Sequence, residues 1–158
     1  MGQKYNEDLL VNNIKPMNIS IKSEIIIAID YGTKRVGIAV GNLITKTARP
    51  LKTIKMNYDI ETELTAIYKE WNPRCFVLGY PLSKDVSSIH KRILKFKELI
   101  ITLTSLDVYL VNEAYSSLAA LDIIKSYKKS SKIKKEEIDA QSACIIAEQW
   151  MRDVKESN

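Results

Sequence analysis

The chain has 158 residues, 46% of them hydrophobic, which suits one domain able to bury roughly 70% of the surface its unfolded chain exposes. Its 24 Lys and Arg outnumber 19 Asp and Glu, leaving a formal net charge of +5 and a pI near 9.1, an excess that is not evenly spread along the chain. No apolar run approaches the ~20 residues of a helical membrane span, and Cys75 and Cys144 stand alone inside apolar runs and in no C-x-x-C pair, which points to buried thiols rather than a disulfide or a zinc site.

Unpaired thiols imply a reducing compartment, so a cytoplasmic protein without membrane contact is expected. The polar N-terminus does not read as a signal peptide, and Asn6 breaks the myristoylation pattern that Met1-Gly2 begins. Residues 1–20 show no apolar period and are expected to form a flexible extension, with Met17 an alternative start; 21–152 would be the folded domain and 153–158 a tail.

From Glu24 the pattern is strand, turn, strand. The unbroken run Ile25-Ile26-Ile27-Ala28-Ile29 leads into Asp30, a turn through Tyr31-Gly32-Thr33-Lys34-Arg35 follows, and a second apolar run starts at Val36. A run apolar on both faces marks a central strand, so the charge at its tip belongs at an edge or in a cleft. Thr47–Lys55 reads as a third strand, with Pro50 placing it at an edge. Asp59 is the expected N-cap of a helix that sets Ile60, Leu64, Ile67, Tyr68 and Trp71 inward and stops at Asn72-Pro73. Arg74–Gly79 is the next strand. A second helix capped by Ser87 or Ser88 turns Ile89, Ile93, Phe96, Ile100 and Leu103 inward, and a fifth strand over Asp107–Val111 precedes another acid, Glu113.

Ser116 or Ser117 caps a third helix reaching Tyr127. Six lysines then fall within the eleven residues Lys125–Lys135 with no acid among them, either a solvated loop or a phosphate-binding footprint. A last helix is expected over Glu136–Met151, where Asp139 shares a face with Ala143, Ile146 and Trp150. The single histidine, His90, is expected at the surface beside Lys91 and Arg92, whereas Tyr31 and Tyr80 at strand ends are candidates to line a cleft. The order of elements defines an α/β domain with a central five-stranded mixed sheet flanked by helices.

Three acids are set apart by position: Asp30 and Glu113 at strand ends, and Asp139 on the inward face of the last helix. With the first strand central and the fourth and fifth parallel to it, both strand-end carboxylates emerge on one rim, and the last helix brings Asp139 to them. Clustered carboxylates repel unless a cation lies between them, and all-oxygen donors suit Mg²⁺ or Mn²⁺. Two such ions about 4 Å apart serve phosphodiester hydrolysis.

Four segments carry a family resemblance: Asp30-Tyr31-Gly32-Thr33-Lys34-Arg35-Val36-Gly37, Val77-Leu78-Gly79-Tyr80-Pro81-Leu82, Asn112-Glu113-Ala114-Tyr115-Ser116-Ser117 and Ile138-Asp139-Ala140-Gln141-Ser142-Ala143. In sequence and order they resemble the YqgF family, described as ribosomal-RNA precursor nucleases and Holliday-junction-resolvase-like proteins with the ribonuclease H-like fold. The resemblance implies metal-dependent nuclease chemistry on Asp30, Glu113 and Asp139 as catalytic and metal-binding residues. It also places Thr33, Lys34 and Arg35 near the substrate phosphate, and Lys128, Lys129, Lys132 and Lys134 join them as candidate nucleic-acid contacts. Two departures stand out: Asn112 and Ala114 replace the acid and the arginine that usually flank the family's glutamate, and Asp85 is followed by Val86 where the family has Asp-Gly.

The expected function is thus endonucleolytic cleavage of structured nucleic acid, pre-16S ribosomal RNA first, in contact with ribosomal precursor particles, by a monomer or homodimer. Alternatives are a weakly catalytic RNA-binding factor in ribosome assembly or transcription, or a Holliday junction resolvase acting on branched DNA. Asp30-Tyr31-Gly32-Thr33 also resembles the first phosphate loop of actin-like and sugar kinases, which close two such domains over ATP; one domain's length places a phosphotransferase last.

Overall fold

The structure, a computed structural model, describes residues 23–57, 59–82, 86–113, 116–127 and 133–156, without the side chains of 113, 116–119, 127 and 155–156. The expected extension over 1–20 lies outside the described residues, as do Lys128, Lys129 and Lys132. Strands β1 (Ile25–Tyr31) and β2 (Arg35–Asn42) form an antiparallel hairpin, and β3 (Thr47–Lys55) continues it antiparallel. Helix α1 (Ile60–Trp71) crosses to β4 (Cys75–Pro81), α2 (Ser88–Thr104) crosses to β5 (Val108–Glu113), and α3 (Ser116–Tyr127) and α4 (Lys135–Glu156) close the chain. The sheet order is β3-β2-β1-β4-β5, with β4 parallel to both β1 and β5.

The apolar run of β1 is central for the reason its sequence suggests: Ile26 to Ile29 are fully buried, alternating between two cores. Ile27 and Ile29 join Val36, Ile38, Phe76 and Leu78 against Ile60, Leu64 and Ile67 of α1 and Ile93, Phe96 and Ile100 of α2. Ile26 and Ala28 join Ala39, Val77 and Val111 against Ala143, Ile146, Ala147 and Met151 of α4 on the other face. Helix α3 packs on α4.

Helix α4 approaches the sheet closely because β2 presents Gly37, Ala39 and Gly41 to it. A Cβ at Gly37 would lie 2.0 Å from the Asp139 carbonyl oxygen, and one at Gly41 would lie 2.8 Å from Ile26 Cγ1. No described glycine has a positive φ, so Gly37 supplies space rather than backbone freedom.

Pro50 sits on the edge strand as expected, at a register shift of the β2–β3 ladder. Asn72 ends α1 in the left-handed region (φ 44°), its N–H donating to the Tyr68 carbonyl. Asp59 caps α1 without a side-chain bond; Asn57 starts the helix instead, its Oδ1 accepting the Asp59 N–H at 2.9 Å. Helix α4 also runs past Met151 to Glu156, because no glycine or proline interrupts Arg152-Asp153-Val154-Lys155-Glu156. Among the described residues, no helix is long and apolar enough to cross a membrane.

Candidate active site at the strand-end rim

Because β1, β4 and β5 are parallel, their C-terminal ends share one rim, and α4 begins at that rim. Asp30, the penultimate residue of β1, is half-buried and has the strand parity of Ala28, which faces α4. It pairs with Gly37 across the hairpin, and the backbone of Asp139 rests on Gly37. Since directly paired residues of antiparallel strands lie about 5 Å apart at Cα, Asp30 and Asp139 are neighbours, although 109 residues of sequence separate positions 30 and 139.

Arg35, two residues before Gly37 on the same face of β2, donates from Nε to Asp139 Oδ2 at 2.8 Å. A carboxylate facing only the apolar stripe of α4 would be costly; here the rim end of that stripe meets a guanidinium. The hydrogen bond and the charge of Asp139, in that order, raise the Arg35 pKa above its ordinary value.

Glu113 is the last residue of β5, in register with Pro81. Ile29 pairs with Leu78, so Asp30 is level with Gly79, itself the partner of Val111. Position 113 therefore lies two strands across and two residues beyond Asp30, about 12 Å away at Cα. The three acids share one end and one side of the sheet by backbone position.

Three contacts that the sequence did not signal hold this rim. Thr53 Oγ1 of β3 donates to the Glu136 carbonyl at 2.7 Å, pinning the start of α4. Gln149 Nε2 donates to the Asn112 carbonyl at 3.0 Å, tying α4 to the end of β5. The third is His90, expected at the surface but buried. Its Nδ1 accepts the Ser87 N–H at 3.0 Å, which leaves the ring proton on Nε2 to be donated to the Pro81 carbonyl at 2.9 Å. The ring is buried because it closes the cap of α2 onto the end of β4, a use that its charged neighbours Lys91 and Arg92 conceal. Tyr31 and Tyr80 also turn from the expected cleft into the α2 side, their rings 5.1 Å from Phe96 and 4.7 Å from His90 respectively.

The remaining candidates distribute unevenly. Thr33 and Lys34 are exposed in the β1–β2 turn, which Gly32 allows to close: a Cβ there would lie 2.5 Å from the Arg35 carbonyl oxygen. Lys134 is exposed just before α4. A cavity of about 680 Å³ lined by Arg74, Asp107, Tyr109 and Trp150 opens at the opposite pole and includes none of these residues.

Among the described residues no three His, Cys, Asp or Glu side chains gather as a metal-binding group. Asp30 and Asp139 are hard oxygen donors, as Mg²⁺ or Mn²⁺ prefer, and the remaining position, Glu113, is placed by its backbone alone. The buried thiols offer no rival chemistry: burial pushes Cys75 and Cys144 up to about 12, so both stay protonated.

A mixed sheet ordered β3-β2-β1-β4-β5, helices on both faces and acids at the strand-end rim define a ribonuclease H-like domain. Within that class, residues 24–153 match the RuvX family, described as Holliday junction resolvase, and the chain belongs to this YqgF/RuvX-like family, whose members are hydrolases of the nuclease type. It is 39% identical over 132 residues to a protein of Francisella tularensis subsp. mediasiatica, covering 81% of this chain and 96% of that one. A Francisella philomiragia protein is 41% identical over 135 residues, with the same coverage of each chain. Both carry the name "Putative pre-16S rRNA nuclease". Among solved structures, Thermus thermophilus RuvC in complex with Holliday junction substrate superposes with a TM-score of 0.56 at 12% identity, covering 83% of this chain and 95% of that one. The fowlpox virus Holliday junction resolvase gives 0.54 at 17% identity, covering 82% and 99%. At those identities the likeness is one of fold.

Proposed function

We propose that this protein is a metal-dependent endonuclease acting on structured nucleic acid, with pre-16S ribosomal RNA as its substrate in the cytoplasm. One observation carries the reading: Gly37 brings the backbone of Asp139 onto the strand position paired with Asp30, at the rim where β5 ends in Glu113. Asp30, Glu113 and Asp139 would hold Mg²⁺ or Mn²⁺, and ions so held supply an activated water and stabilisation of the leaving oxygen. Thr33, Lys34 and Arg35 would hold the phosphate to be cut, while Lys128, Lys129, Lys132 and Lys134 grip the backbone beyond it. The names of the Francisella relatives support RNA as substrate; the family description supports the second reading, branched DNA.

The test compares cleavage of labelled pre-16S RNA, a four-way DNA junction and a single-stranded oligonucleotide, in Mg²⁺ or Mn²⁺ and in chelator, by the parent and by Asp30→Asn. Metal-dependent cutting of the RNA, lost in the mutant, is expected. Cutting of the junction alone would transfer the reading to a resolvase. Binding without cutting of any substrate would leave an RNA-binding factor.

A further inference from the structure

Helix α2 starts at the same rim, on the sheet face opposite α4. The Pro81 carbonyl that ends β4 accepts the His90 Nε2 proton, so the first turn of α2 is fastened beside the position of Glu113. Lys91, Arg92 and Lys95 follow at once, all exposed. On a helix they fall within about 100° of one another, and Lys95 lies only about 7.5 Å along the axis from His90. The first turn of α2 has no acid, and Glu98 is the first acid in the helix. The three ion pairs among the described residues, Arg35–Asp139, Lys52–Glu63 and Arg74–Glu24, involve none of these cations.

The first turn of α1, which also starts at this rim, carries acids, Glu61 and Glu63, and its exposed lysine, Lys69, comes only in the last turn. The rim-proximal face of α2 carries one sign. On the other side of the acids lie Lys34, Lys55, Lys134 and Lys135, also exposed, with Lys55 in register with Arg35. The carboxylates are thus flanked by cations on both sides. A lone strand crossing the rim meets one flank; a duplex or branched substrate presents phosphates to both.

We propose that Lys91, Arg92 and Lys95 of α2 form a second phosphate-binding face that takes the backbone of a duplex arm while the scissile strand lies at the rim. The proposal rests on the nuclease reading, which it deepens by naming double-stranded structure beside the cut as what the enzyme recognises. His90 orients this face through Pro81.

Binding by the parent, by Lys91→Gln/Arg92→Gln/Lys95→Gln, and by Lys46→Gln/Lys69→Gln/Arg152→Gln would be compared by fluorescence anisotropy across a salt series, with chelator present so that nothing is cut. The second variant removes the same charge from exposed positions at the opposite pole. Probes are an RNA hairpin, a four-way DNA junction and a short single-stranded oligonucleotide. Each lost duplex phosphate contact lowers the slope of log affinity against log salt by about 0.9, so the α2 variant should lose about 2 to 3 from its slope on hairpin and junction, and more than ten-fold in affinity. Its affinity for the single strand and the slopes of the opposite-pole variant should match the parent. Should the triple variant fail to melt cooperatively, Lys91→Gln and Arg92→Gln singly should each remove about 0.9. An unchanged slope on both structured probes, or an equal loss in the opposite-pole variant, overturns the proposal. Parallel cleavage in Mg²⁺ separates the two readings: slopes that fall without any cutting by the parent leave this face standing and sink the nuclease, whereas cutting by the parent with equal slopes does the reverse.

Discussion

Substituting alanine at Gly37 tests the contact on which the site depends. The new Cβ would lie 2.0 Å from the Asp139 carbonyl oxygen, 2.2 Å from its carbon and 2.8 Å from the Ala140 nitrogen, all atoms of helix backbone that no rotamer change can move. Restoring an ordinary contact of about 3.2 Å requires α4 to lift from β2 by about 1.2 Å, which loosens Ala143, Ile146 and Ala147 from the sheet. Overpacking of this kind costs about 1–3 kcal/mol, and rigid neighbours place it at the upper end. At 2–4 °C per kcal/mol for a chain of this size, the melting temperature should fall by about 6–12 °C. Gly41→Ala is the internal control. Its Cβ would meet Ile26 Cγ1 at 2.8 Å and Met151 Cε at 3.3 Å, side-chain rather than backbone atoms: the methionine end can swing away, the β-branched isoleucine must shift by a few tenths of an ångström, and the reduced freedom of the unfolded chain offsets part of that strain. Its melting temperature should stay within about 4 °C of the parent. With Asp139 in the proposed catalytic role, Gly37→Ala should cut about 100-fold more slowly below both transitions, since a displacement near 1 Å at a group of the reacting centre costs that much, while Gly41→Ala should retain its rate. Thermal melts by circular dichroism and single-turnover cleavage read both quantities. Melting within 2 °C of the parent by Gly37→Ala, with a parental rate, would refute the reasoning that Gly37 seats Asp139.

Asp139→Asn keeps the shape and removes the charge paired with Arg35; for a part-exposed pair the melting temperature should change by no more than about 2 °C, while under the proposed metal site Mg²⁺ or Mn²⁺ should raise the melting temperature of the parent but not of this variant, which should also lose cleavage. Persistence of the metal-induced shift would remove Asp139 from the metal site. His90→Ala deletes the buried acceptor of the Ser87 N–H and the donor to the Pro81 carbonyl, and should cost about 2–4 kcal/mol, read as a fall of about 5–15 °C in a melt. A change under 2 °C would mean the ring is not buried in solution. Cys75 and Cys144, held at about 12 by burial, should resist iodoacetamide at pH 8 in the native protein and react after unfolding, as mass spectrometry would show. Their native pKa lies above the unfolded value near 9, so the unfolded chain releases protons first as pH rises; stability should fall by about 1 kcal/mol per cysteine between pH 9 and pH 10, and denaturant titration at both values checks the sign.

What could be read from the sequence was whatever depends on neighbours along the chain. An unbroken apolar run must be covered on both faces, so Ile25–Ile29 marked the central strand and Asp30 its polar tip. Helical spacing placed Ala143 and Ile146 inward, and Asn72-Pro73 stopped α1 where the residue before proline leaves the helical region. Partners distant in sequence were decided only by the tertiary structure. Arg35 and Asp139 are 104 residues apart, and nothing in either segment says that this guanidinium donates to that acid. Gly37 read as one small residue of a motif until α4 lay on it, because the space a missing Cβ leaves is defined by what fills it. His90 was misplaced for the same reason: Lys91 and Arg92 are exposed, but a helix turns by 100° per residue, and the direction that points His90 into the protein is set by where β4 ends at Pro81.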